Sequence, residues 1–390
     1  MGSGKTSWII KQMKENLNEN ILYIAPILTE DERIIQATHG FRDMKQPKNK
    51  GDGKLGNIAK LLESQMDIAS THELFRRFDD RCKNALREND YTLIVDEALT
   101  AVEPYHFAKK EDFRYLLENQ DIKVTNDGLV EWTGENLDTR FNDVRILAQN
   151  HCLFKIDDKF FLWHFPHEIF GLFKKVYVLT YLFHGSLMKY YFDLYGLIYD
   201  VKSIQNVNGD YRLVEYYEPD KTIYRDRLNI YSGQLNENIS NKDNILSATW
   251  CGSSYYKTNR IQLKNNLFNY CRHIINAKSN EIMWTAFKLC RKEFAQKGYA
   301  RGFIPCNCQA TNDYSDRTCL MYCVNWYVNP EIKKFFQSRN IAIDEDAVAL
   351  SNLLQWIWRS NIRVADSDKT INIYMPSGRM RKLLLNWLNC

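Results

Sequence analysis

The feature that most constrains this chain is its opening, Gly2-Ser3-Gly4-Lys5-Thr6, which runs directly into Ser7-Trp8-Ile9-Ile10-Lys11-Gln12. Glycines let the backbone fold around an anion and turn its N–H groups inward, where side chains would obstruct. The adjacent lysine can reach the β- and γ-phosphates of a nucleotide, and the threonine can offer its hydroxyl to Mg²⁺. A helix starting here adds the positive end of its dipole. Counted back from Gly4, the first glycine of the pattern G-x-x-x-x-G-K-[ST] falls before Met1, and no strand precedes the loop. The expectation is the second half of a phosphate-binding loop in a chain truncated inside it.

A chain of 390 residues, 45% hydrophobic and 26% charged, suits a globular protein of two domains. No stretch is apolar over the roughly 18 residues that a membrane helix needs, and the N-terminus lacks a signal-peptide pattern. A soluble, cytoplasmic protein with no membrane association is expected. The net charge of +4 is compatible with nucleic acid but does not prove it. The ten cysteines show no paired CxxC spacing and read as reduced thiols rather than zinc ligands. In His164-Phe165-Pro166-His167 the proline breaks the helical geometry that a two-histidine metal site relies on.

Along the chain, short apolar runs alternate with helical stretches, the signature of a parallel α/β fold. Ile21 to Ala25, closed by Pro26, reads as a buried strand, and the capping-box spacing of Thr29 and Glu32 starts a helix. Met66 to His72 reads as a further strand ending in Ser70-Thr71-His72, followed by helix over Glu73–Asn89. Tyr91-Thr92-Leu93-Ile94-Val95 then ends in Asp96-Glu97. Carboxylates at the C-terminal edge of a parallel strand sit beside a phosphate loop, where Asp96 can join the Mg²⁺ shell and Glu97 can polarise the attacking water.

Residues 104–170 break the rhythm and read as a partly β insertion, with strands over Gly128–Trp132 and Leu153–Trp163. The core resumes at Lys175–Leu182, whose Thr180 is placed to sense a γ-phosphate. The first lobe is thus residues 1–235. Polar residues Asn236–Asp243 mark a boundary, and a second lobe covers 244–390. There Glu281–Phe287 reads as a strand, a polar turn contains Thr311, and residues 316–326 read largely as helix. On a helix over Ala349–Arg363, Gln355, Arg359 and Arg363 share one face at i, i+4 and i+8, a candidate arginine finger and sensor.

With these residues together, the chain resembles superfamily 2 (DEAD/DEAH-like) helicases, of the replication or recombination type encoded by phages and prophages. Gly2 to Thr6 resembles motif I, Ala25-Pro26 with Thr29 motif Ia, and Ser70-Thr71-His72 a further nucleic-acid-contacting motif. Asp96-Glu97-Ala98-Leu99 resembles motif II, Thr180 the motif III threonine, Ala310-Thr311-Asn312-Asp313 motif V, and Gln355 with Arg359 and Arg363 motif VI. Trp358 stands where motif VI commonly has glycine, and its last arginine comes one residue late. The resemblance implies two RecA-like P-loop NTPase lobes with parallel sheets that bind ATP and Mg²⁺ and act on DNA, or alternatively RNA. In that reading Gly2, Ser3, Gly4, Lys5, Thr6 and Asp96 bind nucleotide and metal, and Glu97, Arg359, Arg363 and Gln355 act in hydrolysis. Pro26, Thr29, Thr71, His72, Thr180 and Thr311 face nucleic acid. The alternatives are a terminase-like DNA-packaging ATPase and an inactive truncated remnant that only binds nucleic acid.

Overall fold

The computed structural model describes residues 4–49, 51–109, 111–135, 139–157, 160–237, 244–307, 313–364 and 366–389. Gly2, Ser3 and Thr311 fall outside these ranges. The chain divides into two compact units: Gly4–Leu213 with Val328–Ile343, and Val214–Tyr327 with Asp344–Cys390. We call them the N-terminal and C-terminal units. The sequence suggests a single break, but residues 328–343 return to the N-terminal unit.

In that unit the chain forms β1 (Asn20–Ala25), β2 (Ile68–Thr71) and β3 (Tyr91–Asp96). The insertion follows with β4 (Val102–Tyr105), β5 (Ile122–Val124), β6 (Val130–Trp132), β7 (Leu153–Lys155) and β8 (Phe161–His164), and the core resumes with β9 (Lys175–Leu179). The main sheet has the order β2-β1-β3-β9, and every pairing in it is parallel. Its central strands carry the unbroken apolar runs, as burial on both faces requires. β9, at the edge, is half-buried over most of its length.

Helix α1 (Lys5–Glu15) turns Trp8, Ile9 and Met13 onto this sheet, where they pack among Ile21, Tyr23, Ile94 and Leu179. The Trp8 ring meets Tyr177 of β9 edge-on at 5.5 Å. Helix α2 (Leu28–Thr38) begins one residue before Thr29, with Ile27 at its N-cap, so the expected capping box does not form. The helix expected over residues 73–89 is two shorter ones, His72–Phe75 and Asp80–Glu88, the second capped by Asp79.

The insertion is an antiparallel sheet, β4-β8-β7, with a β5–β6 hairpin and a helix at Asn142–Gln149. Leu116, Ile122, Val130, Phe141, Leu153 and Phe161 build its own small core. The helix Pro330–Gln337 lies against it: Phe335 meets Phe154 at 5.5 Å, Lys334 pairs with Asp157 at 3.2 Å, and Arg339 donates to the Asp127 carbonyl at 3.0 Å. The hairpin of β10 (Lys202–Val207) and β11 (Asp210–Glu215) turns at Asn208-Gly209, both with positive φ (54° and 87°), the backbone that a tight hairpin demands.

The C-terminal unit holds β12 (Leu228–Ile230), β13 (Ile282–Ala286), β14 (Cys319–Cys323) and β15 (Ile371–Tyr374), in the parallel order β12-β15-β14-β13. β14 corrects the helix expected over residues 316–326. Its five residues are all buried, and a strand covered on both faces shows no polar alternation to separate it from a helical segment.

Candidate nucleotide site

Four strand ends form a row along the carboxyl edge of the N-terminal sheet. In sheet order they carry Thr71-His72, Ala25-Pro26, Asp96-Glu97 and Leu179-Thr180. This is the edge at which open parallel sheets bind ligands. Thr71 caps the helix after β2 by accepting from the Leu74 N–H at 3.4 Å. Pro26 is half-buried, and Thr29 is exposed in the first turn of α2.

Gly4 is the N-cap of α1 with φ 79°, a left-handed conformation that suits glycine. An added Cβ there would lie 2.1 Å from Cε1 of Tyr211, so both backbone angle and space require glycine. No side chain caps α1, and its first turn carries no acid, which leaves a positive helix end suited to an anion. Lys5 and Thr6 are half-buried at this start. Burial pulls the Lys5 ammonium below its ordinary pKa, while the nearby Asp96 and Glu97 carboxylates pull the other way. The fold therefore brings Lys5, Asp96 and Glu97 to one place.

Asp96 is tightly held. Its Oδ2 accepts from the Tyr23 hydroxyl at 2.6 Å, and the Arg33 guanidinium of α2 lies 4.0 Å from the same oxygen. Its backbone carbonyl accepts from Nε2 of His72 at 2.9 Å. Burial raises the Asp96 pKa, opposed by the Tyr23 hydrogen bond and by Arg33. Burial also lowers the His72 pKa to about 4, so at neutral pH the ring is uncharged and acts as a fixed donor under the β3 end. Glu97 follows with φ 62°, a left-handed conformation costly for a residue with a Cβ, and its N–H donates to the Leu179 carbonyl at 3.2 Å. Strain of this kind persists where the surroundings over-determine it, and it clusters at functional sites. Thr180 comes directly after Leu179, so it stands beside Glu97.

Sequence reasoning missed Tyr23, Arg33 and Tyr211. Tyr23 left a signal: a phenol inside an apolar strand must find a hydrogen-bond partner. Arg33 and Tyr211 left none, since both meet the site only through the fold.

In the C-terminal unit the expected arginine face does not form. The helix Glu345–Ile357 ends before Arg359, and Arg363 closes a separate 3₁₀ turn at Asn361–Arg363. Ser360 breaks the helix: its hydroxyl donates to the Ile357 carbonyl at 2.7 Å. Arg227 then holds the departing chain, donating to the carbonyls of Asn361 (2.9 Å), Ile362 (3.3 Å) and Val364 (3.0 Å). Gln355 donates to the Ser351 hydroxyl at 3.4 Å, Arg359 is buried, and Arg363 is exposed.

A domain family described as "YonV C-terminal Rossmann-like domain" matches residues 222–388, and a "YonV middle domain" matches residues 102–163. Over 404 aligned positions the chain is 38% identical to the SPbeta prophage-derived protein YonV of Bacillus subtilis (strain 168), an alignment that covers 100% of this chain and 97% of that protein. The chain belongs to the YonV family. The YonV middle domain spans β4 to β8 apart from the final His164, and the YonV C-terminal domain contains all of β12 to β15. Two solved structures, described as "XPD_APO" and "Structure of S. tokodaii Xpd4", align with TM-scores of 0.48 and 0.46 at 14% and 12% identity. They cover 98% and 99% of this chain and 93% and 92% of their own. Among the described residues no helix is long and apolar enough to cross a membrane.

Proposed function

We propose that this YonV-family protein is an ATP-dependent helicase or translocase acting on DNA, with its two parallel sheets serving as RecA-like lobes. The observation that carries the reading is the convergence of Lys5, Asp96 and Glu97 beside the left-handed Gly4 start of α1. The residues present suit a magnesium–nucleotide: a helix end without a cap, a lysine, a hydroxyl and two adjacent half-buried carboxylates. Thr6 and Asp96 would hold Mg²⁺, which would supply positive charge against the phosphates. Lys5 would bind the β- and γ-phosphates, and the N–H groups at the start of α1 would orient them. Glu97, fixed by its strained backbone, would orient the attacking water and take its proton. Thr180 beside it would respond to the γ-phosphate. The reading assigns Arg363, and with it Arg359 and Gln355, to turnover as well, and Pro26, Thr29 and Thr71 to nucleic acid. His72 acts in it by supporting Asp96. The prophage origin of the Bacillus subtilis relative favours a role in phage replication or recombination.

Measuring ATP turnover with and without single-stranded DNA, for the wild type and for Glu97→Gln and Lys5→Ala, tests this. DNA-stimulated turnover confined to the wild type is expected. Equal turnover in all samples would sink the proposal.

A further inference from the structure

The carboxylate that the nucleotide reading assigns to the magnesium shell does not stand alone at its strand end. We propose that Tyr23 is a positioning residue for that site: from β1 its hydroxyl clamps Oδ2 of Asp96, with Arg33 approaching the same oxygen, and so leaves Oδ1 as the atom offered to the cation. The inference rests on the nucleotide reading above and deepens it.

The geometry follows from the sheet. Tyr23 lies opposite Ile94 in the β1–β3 register, and Asp96 is two residues beyond Ile94, so both side chains project from one face. Tyr23 is completely buried among Ile21, Ile94 and Leu179, and this packing leaves its hydroxyl no freedom to wander. A carboxylate rotates freely about its terminal bond unless something holds it. Here the Tyr23 hydroxyl at 2.6 Å and the Arg33 guanidinium at 4.0 Å both address Oδ2, and among the described residues no hydrogen bond reaches Oδ1. Arg33 is itself anchored on Glu30 at 2.6 Å, so its position is set from α2. His72 fixes the Asp96 backbone at 2.9 Å, and the next residue is locked left-handed. Side chain and main chain of Asp96 are thus held by separate groups. Satisfying a buried phenol alone would need only some acceptor, and an uncharged one would cost less to desolvate. The acceptor is instead the acid beside Lys5 and Glu97. Outer groups that orient a metal-binding carboxylate typically matter about 10–100-fold in metal affinity.

The test is the Mg²⁺ dependence of binding for a fluorescent, non-hydrolysable ATP analogue, compared among wild type, Y23F, R33Q and D96N. For Y23F the Mg²⁺ concentration at half-saturation should rise about tenfold or more. Its affinity for the analogue in excess EDTA should stay at the wild-type value, a split that general loosening of the fold would not give. R33Q, from an exposed position, should shift half-saturation the same way by less, and D96N by the most. An unchanged half-saturation in Y23F beside a raised one in D96N overturns the inference and leaves the nucleotide reading standing. Failure of the wild type to bind the analogue at any Mg²⁺ concentration removes both. Should Y23F not fold, R33Q decides: an unchanged half-saturation there overturns the clamp on Oδ2.

Discussion

Each unit builds a four-stranded parallel sheet, and the two differ in what stands at the carboxyl edge. In the N-terminal unit the strand ends lead into His72, Asp96-Glu97 and Thr180, with Lys5 facing the carboxylates. In the C-terminal unit the residues that follow the strands are Tyr231, Phe287, Val324 and Met375, and the last two are completely buried. Two arginines of that unit serve its architecture. Arg227 grips backbone carbonyls, and Arg379 bridges Asn325 (3.0 Å), the Trp326 carbonyl (2.7 Å) and Asp346 (2.6 Å). One layer arrangement therefore sets charged groups at its strand ends in one place and apolar ones in the other, which is why function has to be argued from a site.

Four substitutions probe this contrast. The largest effect is expected at Glu97→Gln, which keeps shape and removes the carboxylate proposed as base: ATP turnover should fall about 10²–10⁴-fold with the circular dichroism spectrum unchanged. Arg227→Met tests the architectural arginine. It strips several buried carbonyls of their donor and should cost about 4 kcal/mol of stability in urea unfolding. An effect on turnover without loss of stability would break the contrast.

Asp31 sharpens the contrast from inside the N-terminal unit, because it is an acid without the support that Asp96 enjoys. It is fully buried in α2, among the described residues neither oxygen has a hydrogen bond of normal geometry, and burial raises its pKa to about 7 from the usual 3.8, with only the Gln46 amide nearby to oppose the shift. The folded state then holds a proton that the unfolded state has released, so the stability this group leaves intact below pH 4 is lost as pH rises towards 7. Asp31→Asn should be about 4 kcal/mol more stable than wild type at pH 8 and no more stable at pH 4, in urea titrations at the two pH values. The smallest change in stability is expected at Glu97→Gly, which relieves the left-handed strain and should raise stability by about 1 kcal/mol, with turnover lost as in Glu97→Gln. Lower stability there would show that the Glu97 side chain supports the fold.

The N-terminal site was legible in the sequence where its signals are local. Lys5 and Thr6 follow a glycine at a helix start, and Asp96 ends a continuous apolar run; both features survive without knowing what lies beside them. The rest depended on distance. The reach of Tyr23 to Asp96 is set by strand register, and Arg33 meets the same carboxylate only once α2 has packed. The arginine face is a false signal because Trp356, Ile357 and Trp358 keep the apolar pattern up to and past the helix end at Ile357, and nothing local announces that Ser360 and Arg227 hold the following residues out of the helix. The run Cys319–Cys323 fits either state locally, and its place between β13 and β15 decides for strand. Nothing in residues 328–343 marks them as belonging to the N-terminal unit.

That last segment constrains how the protein comes into being. A ribosome delivers Phe154 and His164 long before Phe335, and between them it must make β12, β13 and β14 of the other unit. At about 5–20 residues per second the wait is on the order of ten seconds or more. Throughout it the aromatic face of the middle domain stays uncovered on the nascent chain, inviting chaperones or a wrong partner. The N-terminal unit is completed only after residues 214–327 of its neighbour have been made.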